Sequence, residues 1–475
     1  MDYLQTALEA ALVVAVFISL DYFFGLGVAS ILVPEEWRKH ALLMPLLLGW
    51  CVLVLALVFV NAFVGVQYGL YPLMAAALGL NVFAVFKRKV RIGDWRAAMI
   101  PILLALGLVV LALLPHILQR SLGLVVLNQD EEEYYPVANF LLLFPGRADA
   151  HLWAGAFIKF LPWGWGVPYL IASVSAITGM STFLTYAPVN YLLLGLSVPA
   201  WYLFFVETLE LPRREAVVAL CFYSLLGLPL WFAAYGYGTQ MSSLVTVPLG
   251  VAAFTTALER GGLRRMILAG IVVSAGLVCF YRGIALQYVF LFIPVGLVVL
   301  ATKRSLKPVA RGLAILLIAV ASGFPAHLGA GNWFLRPGGL SSQSLDISGG
   351  WNLDYFQPAG VMLGLQSFPI AVDDANVGPL ADFGFPSATA ADTLAWILLA
   401  AALFGLVRVS KRRPVALAVV VGTALSLGFN RIVLNYPYGW VKLMPISAPL
   451  VYALAVGSAN DLVRLARGLW GRWAM

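Results

Sequence analysis

Apolar residues run along this chain in blocks of about twenty, separated by short polar or basic links, instead of alternating or recurring on one helical face. A block of that length crosses a hydrocarbon core of about 30 Å as an α-helix. Thirteen blocks qualify: 8–31, 42–63, 70–85, 97–118, 186–206, 216–232, 242–258, 266–280, 284–301, 312–324, 394–407, 415–427 and 438–456. The pattern predicts an all-α polytopic membrane protein with about 13 transmembrane helices. A fourteenth run, 161–177, is short and broken by Pro162, Gly164, Gly166 and Pro168.

Charge decides the sidedness of the blocks. If 161–177 does not cross, the clusters Arg38-Lys39, Lys87 to Arg96, Arg213-Arg214, Arg260 to Arg265, Lys303 to Arg311, Arg408 to Arg413 and Arg464 to Arg472 all fall on one face. If it did cross, every later cluster would change sides. The positive-inside rule therefore predicts a cytoplasmic basic face and an external N-terminus. The run 161–177 becomes a re-entrant or interfacial helix, tolerated where its broken backbone is buried in protein or lines a cavity. Two long external segments result, about 119–185 and 325–392. Loops of that length are uncommon unless functional or disordered; Trp333, Trp351, Tyr355 and Phe356 favour an ordered lid or acceptor-binding loop in the second. The tail 460–475 carries Arg464, Arg467 and Arg472 among Leu, Val and Trp, the composition of an amphipathic helix on an anionic inner leaflet.

Composition narrows the class. At 62% hydrophobic and 11% charged residues, with a mean hydropathy of +0.91, the chain is too apolar for a soluble core. The net charge of +8 does not imply nucleic-acid binding, because the basic residues lie between apolar blocks, where orientation and anionic headgroups account for them. Cys51, Cys221 and Cys279 lie inside blocks without Cys-x-x-Cys or Cys/His clustering, so neither a disulfide framework nor a zinc site is expected. Phosphate-cradling, dinucleotide and His-Glu-x-x-His motifs are absent and the four histidines are scattered, which excludes a nucleotide hydrolase or zinc protease. The start, Met1-Asp2-Tyr3, lacks the basic region of a cleaved signal peptide.

The stretch Asp130-Glu131-Glu132-Glu133-Tyr134-Tyr135-Pro136 changes the picture. Four successive carboxylates follow an apolar block, either as a solvated acidic turn capping the next helix or as a carboxylate site at the membrane surface. On the same predicted face, Arg282 and Arg431 occupy external turns and Lys442 lies about one turn inside the last helix. A charge at membrane depth normally has a partner. That partner is either a carboxylate of the acidic loop or the phosphate of a membrane lipid, with snorkelling to the surface an equal alternative for Arg431. Tyr235 and Tyr237, in Tyr235-Gly236-Tyr237-Gly238, mark another external turn, as sugar contacts or as members of an interfacial aromatic belt.

In this order and spacing, these residues resemble the GT-C superfamily of membrane glycosyltransferases, particularly the protein O-mannosyltransferases and the aminoarabinose transferases that act on lipid A. Asp130 to Tyr134 is similar to the Asp-Glu-x-x-Tyr pattern opening that family's first large external loop. Gly166-Val167-Pro168-Tyr169-Leu170-Ile171-Ala172 resembles its juxtamembrane Gly-Tyr-Pro-Leu-Leu-Leu-Ala element. Glu259 to Met266, followed by Tyr281-Arg282-Gly283-Ile284-Ala285, resembles a basic loop, a helix and an Arg-Pro-x-Ala turn. Lys442-Leu443-Met444-Pro445 resembles the late Arg-Tyr-Leu-Leu-Pro element. The resemblance covers about 97–459 and departs from the family at Gly283, which replaces a proline, at Lys442, which replaces an arginine, and in three extra spans before the usual first helix.

The resemblance implies a GT-C-like module over 93–459 with juxtamembrane helices in its first external loop, preceded by three additional transmembrane helices in 1–92 and followed by the tail 460–475. It implies transfer of a sugar from a polyprenyl-phosphate donor to a hydroxyl on a lipid, glycan or protein, at the periplasmic or extracellular side of an inner or plasma membrane. Such a transfer needs a base for the acceptor hydroxyl. Asp130 is the candidate, its neighbouring like charges disfavouring ionisation and so improving its basicity. The leaving phosphate needs only charge stabilisation, from Arg282 and Lys442 with Arg431. One base and one phosphate site imply single displacement with inversion. Glu131 would orient acceptor or base, Tyr134 would bond the sugar or fix the loop, and Asp149 and His151 are secondary acceptor contacts; Glu132 and Glu133 read as solvated. No cofactor or metal is required, although four adjacent carboxylates could hold magnesium or manganese, as in related oligosaccharyltransferases; the missing Asp-x-Asp pattern argues against it. The competing classes are a transporter or flippase of a lipid-linked sugar, and a non-catalytic assembly subunit docking through the first three spans. No internal repeat supports a transporter, and the intramembrane acids Glu9 and Asp21 fall outside the resemblance.

Overall fold

The computed structural model describes residues 2–87, 93–123, 129–145, 166–224, 229–230, 233, 238–279, 282–326, 360, 363, 365, 388–433 and 443–459, with the backbone alone at 129–133, 282–285 and 388. Among these residues the helices are α1 (Tyr3–Leu32), α2 (Met44–Val60), α3 (Val66–Phe86), α4 (Trp95–Leu118), α5 (Gln129–Leu143), α6 (Gly166–Thr178), α7 (Thr182–Glu207) and α8 (Arg213–Ser224). They continue with α9 (Gly238–Arg260), α10 (Leu263–Cys279), α11 (Arg282–Lys303), α12 (Lys307–Ser322), α13 (Ala388–Arg412), α14 (Pro414–Gly428) and α15 (Leu443–Ala459). A 3₁₀ turn, Glu35–His40, precedes α2, and a π-helical turn, Phe429–Val433, prolongs α14. No strand occurs among the described residues.

Eight of these helices are long and apolar enough to cross a membrane: α1, α3, α4, α7, α9, α11, α13, and α14 with its π turn. The protein is therefore an all-α polytopic membrane protein. Among the described residues each apolar block overlaps a helix, with edges that move outward at α1, which begins at Tyr3, and at α3, which begins at Val66, and inward at α2, which spans Met44–Val60. A helix satisfies its own backbone groups and so continues past the hydrocarbon core, whereas hydropathy marks only the part inside that core. α7 and α9 are almost wholly buried and form the centre. α3, α4, α12 and α13 present Leu, Val, Ile and Phe outward, among them Phe86, Val110, Leu317 and Leu403.

Ion pairs gather the basic loops at one end. Glu36 accepts from Arg265 at 2.8 and 2.9 Å and lies 3.5 Å from Arg260. Glu207 meets Lys39 at 2.7 Å and His40 at 2.9 Å, and Asp94 meets Arg213 at 2.8 Å. Arg413 joins Glu259 at 3.1 Å and Glu210 at 3.2 Å. Arg311 donates to the Leu258 carbonyl at 2.6 Å, and Arg408 to that of Gly457. These are the links that the charge pattern placed on one face. α4 leaves this end at Asp94 and α7 returns to it at Glu207.

Two kinds of close approach hold the first three helices. A Cβ at Gly25 would overlap the Pro45 carbonyl, and one at Gly49 the Asp21 carbonyl, so small residues let the α1 and α2 backbones meet. Asn81 of α3 accepts from the Gly27 amide at 2.7 Å and donates to the Phe23 carbonyl at 2.8 Å. It thereby bridges the two groups that one turn of α1 would pair with each other.

Candidate functional site

The acidic stretch lies at the end remote from the basic belt. Asp130 and Glu131 fall in the first turn of α5, where free backbone amides stabilise carboxylates in any case; their side chains are outside the described residues. This turn is held against the start of α7. Thr182 donates to the Tyr135 carbonyl at 3.3 Å, the Tyr135 ring meets Phe183 edge-on at 5.5 Å, and Tyr134, 5% exposed, stacks on Tyr186 at 6.4 Å.

The other end of α5 is fastened by Asn61. Its amide donates to the carbonyls of Val64, Leu141 and Phe144 at 3.0, 3.2 and 3.1 Å, and its oxygen accepts from Tyr169 of α6 at 3.2 Å. α5 and α6 therefore run antiparallel. His116 ties the end of α4 to α7, with Nε2 2.6 Å from the Tyr191 hydroxyl and Nδ1 3.1 Å from the Gly123 carbonyl.

α6 is buried from Gly166 to Ser175 and packs among α1, α2, α3, α5, α7, α9 and α10. At its start a Cβ on Gly166 would overlap the Cys279 sulfur. At Gly238, the first residue of α9, a Cβ would lie 2.8 Å from Val167 Cγ1 and 2.9 Å from Asn190 Oδ1. The starts of α6 and α9 and the end of α10 thus meet within the bundle, three residues before Arg282 opens α11. The meeting point is polar: Thr239 donates to Gln240 Oε1 at 2.9 Å, Ser242 and Ser243 donate to the carbonyls of Thr239 and Gln240, and Tyr288 donates to the Thr246 carbonyl at 3.0 Å. Asn190 is fully buried, and neither its nitrogen nor its oxygen has a hydrogen-bond partner among the described residues.

Arg431 departs from its expected place at an external turn. The π turn continues α14 through it, leaving it 4% exposed. Asp130, Arg282 and Arg431 accordingly share one end of the molecule, opposite the basic belt. The described contacts connect the first two only through α6, with Asp130 near one end of that 13-residue helix, about 20 Å long, and Arg282 near the other. Lys442, Asp149, His151, Tyr235 and Tyr237 lie outside the described residues, as do 460–475 and most of 325–392.

Sequence reasoning built on charge missed Asn190, Gln287, Ser426 and Asn430, all buried. A carboxamide inside an apolar block was the available signal, present for Asn190 in 186–206 and for Gln287 in 284–301. No family model matches the chain, and no curated protein matches it either. The class defined by fold and charge distribution is a multi-pass helical membrane protein with an ion-paired basic end and an opposite end carrying acids, arginines and buried carboxamides.

Proposed function

We propose that the protein is an inverting membrane glycosyltransferase of GT-C type, with about 13 spans and its reaction on the external or periplasmic face of an inner or plasma membrane. The observation that supports this reading most is the common end of the backbone positions of Asp130, Glu131, Arg282 and Arg431, opposite the basic belt. Asp130 takes the acceptor hydroxyl proton as that oxygen attacks the anomeric carbon. The bond from that carbon to the phosphate oxygen breaks, its electrons leave with the phosphate, and Arg282, Lys442 and Arg431 meet the charge. Glu131 orients the acceptor, Tyr134 fixes α5 through its stack on Tyr186, and Asp149, His151, Tyr235 and Tyr237 contact acceptor or sugar. Asp130 and Arg282 flank α6, whose length of about 20 Å exceeds the span of one sugar phosphate, so the reaction requires the two to draw together when donor binds. The chemistry needs no cofactor, and a magnesium or manganese ion on the acidic stretch is an option, not a requirement.

The purified protein in nanodiscs, given polyprenyl-phosphate sugars, tests this. Asp130→Asn is expected to lower turnover about 10²-fold or more while donor binding is retained, and Arg282→Ala to weaken donor binding. Turnover undiminished in Asp130→Asn removes the assignment. A second reading, a flippase of a lipid-linked sugar, is favoured by Asp21, a membrane-depth acid 1% exposed on α1. Lipid translocation without transfer, lost in Asp21→Asn, would select it.

A further inference from the structure

We infer that the seam between α11 and α14 is a recognition subsite for the neutral, hydroxyl-bearing part of the donor, its sugar. This rests on the transferase reading for the identity of the donor, but its residues are distinct from the acid and the cations assigned above. Gln287, Ser426 and Asn430 are each fully buried. Among the described residues, both amide atoms of Gln287, the Ser426 hydroxyl and the Asn430 oxygen have no hydrogen-bond partner. Buried polar groups are nearly always paired, so four such atoms in one seam need a reason.

Helix register brings them together. A Cβ at Gly422 would overlap the Phe290 carbonyl and lie 3.1 Å from Leu291 Cα, and the Phe290 and Phe429 rings are 5.1 Å apart. α11 and α14 run in opposite directions, so Gln287, one turn before Leu291, faces Ser426, one turn after Gly422. Asn430 donates to the Ser426 carbonyl at 2.9 Å, which keeps these two on one face. The π turn Phe429–Val433 is the second observation. π turns are rare and recur at functional sites, and this one turns Asn430 and Arg431 inward while Ile432 and Val433 stay exposed.

The chemistry of the set selects the ligand. A phosphate oxygen accepts hydrogen bonds only, and the free oxygens of Gln287 and Asn430 would repel it. A sugar hydroxyl both donates and accepts and satisfies all four atoms. A site whose buried polar groups are met only by the right hydroxyls also discriminates strongly against ligands lacking them.

The test uses the full-length protein in nanodiscs with bare polyprenyl phosphate and with polyprenyl-phosphate mannose, glucose and galactose, read by thermal shift and binding. Wild type is expected to bind at least one glycosylated lipid about tenfold or more tightly than the bare phosphate. Gln287→Met and Asn430→Leu are expected to abolish that preference, to leave bare-phosphate affinity unchanged, and to raise the unfolding midpoint of the ligand-free protein by removing unmet polar atoms. The subsite is overturned if wild type prefers none of the three sugars, or if both variants keep the preference. It is overturned equally if both variants lower the ligand-free midpoint, since the carboxamides would then be structural. Preference lost in Gln287→Met while wild type transfers no sugar leaves the subsite standing and removes the transferase; sugar transfer by wild type with the preference kept in both variants does the reverse.

Discussion

Single polar side chains have contrasting fates in this apolar interior. Asn61 uses its whole carboxamide, joining the end of α2 to α5 and α6. Asn61→Ala leaves the Leu141 and Phe144 carbonyls unmet, so a loss of about 2 kcal/mol or more is expected, with freer hydrogen exchange in α5 as the local readout. Asp21 is the opposite case. Its Oδ2 is sealed without a hydrogen-bond partner among the described residues, and no described cation pairs with it. Asp21→Leu removes the unmet oxygen at similar volume and is expected to raise stability by about 1–3 kcal/mol. A lower unfolding midpoint in that variant would show that the carboxylate has a structural task. Neither role was legible in the sequence, since Asn61 reads as a loop residue at the edge of a block and Asp21 as an isolated acid within one. What separates them is the presence or absence of partners from distant segments, 80 residues away in the case of Leu141.

Helix packing gives the element-scale prediction. α1 and α2 touch where Gly25 faces the Pro45 carbonyl and Gly49 the Asp21 carbonyl. Backbone atoms cannot step aside as a flexible side chain does, so Gly25→Ala and Gly49→Ala are each expected to cost about 1–3 kcal/mol or more. Gly79→Ala, with open space around it, is the neutral control; equal midpoints for all three variants would refute the close approach. The spanning helices were legible because apolar run length is a local property set by bilayer thickness. α5 was less so, because it opens on acids and carries Pro136, a composition that fits a solvated turn equally well. The π turn was not legible at all: Asn430-Arg431 reads as the polar end of a helix, and the ring that meets the turn at Phe429, Phe290, belongs to a distant helix, α11.

Across the whole molecule, the basic belt connects topology to stability. That the basic clusters share one end could be read from the sequence, because loop charge follows membrane side. Their carboxylate partners could not, since Asp94 and Arg213 are 119 residues apart and Glu36 and Arg265 are 229 apart. The Arg265 guanidinium, in a paired hydrogen bond, holds the Glu36 carboxyl below its ordinary value of 4.5. Arg213 likewise lowers Asp94 below 3.8, but that pair is 41 to 47% exposed, so solvent and salt screen most of its effect. A carboxylate whose folded value lies below its unfolded one binds fewer protons in the native state, so its stabilisation is complete above the unfolded value and disappears as pH falls through the folded one. The unfolding midpoint in nanodiscs should therefore change little through this pair from neutral pH down to about 5 and decline once pH drops below 4.5. Glu36→Gln should lower the neutral-pH midpoint and flatten that acidic decline, while leaving Arg265 without its principal partner. An acidic limb of unchanged steepness in Glu36→Gln would mean that the belt's pH response resides in another carboxylate, Glu207 being the next to test because it sits against Lys39 at the same end.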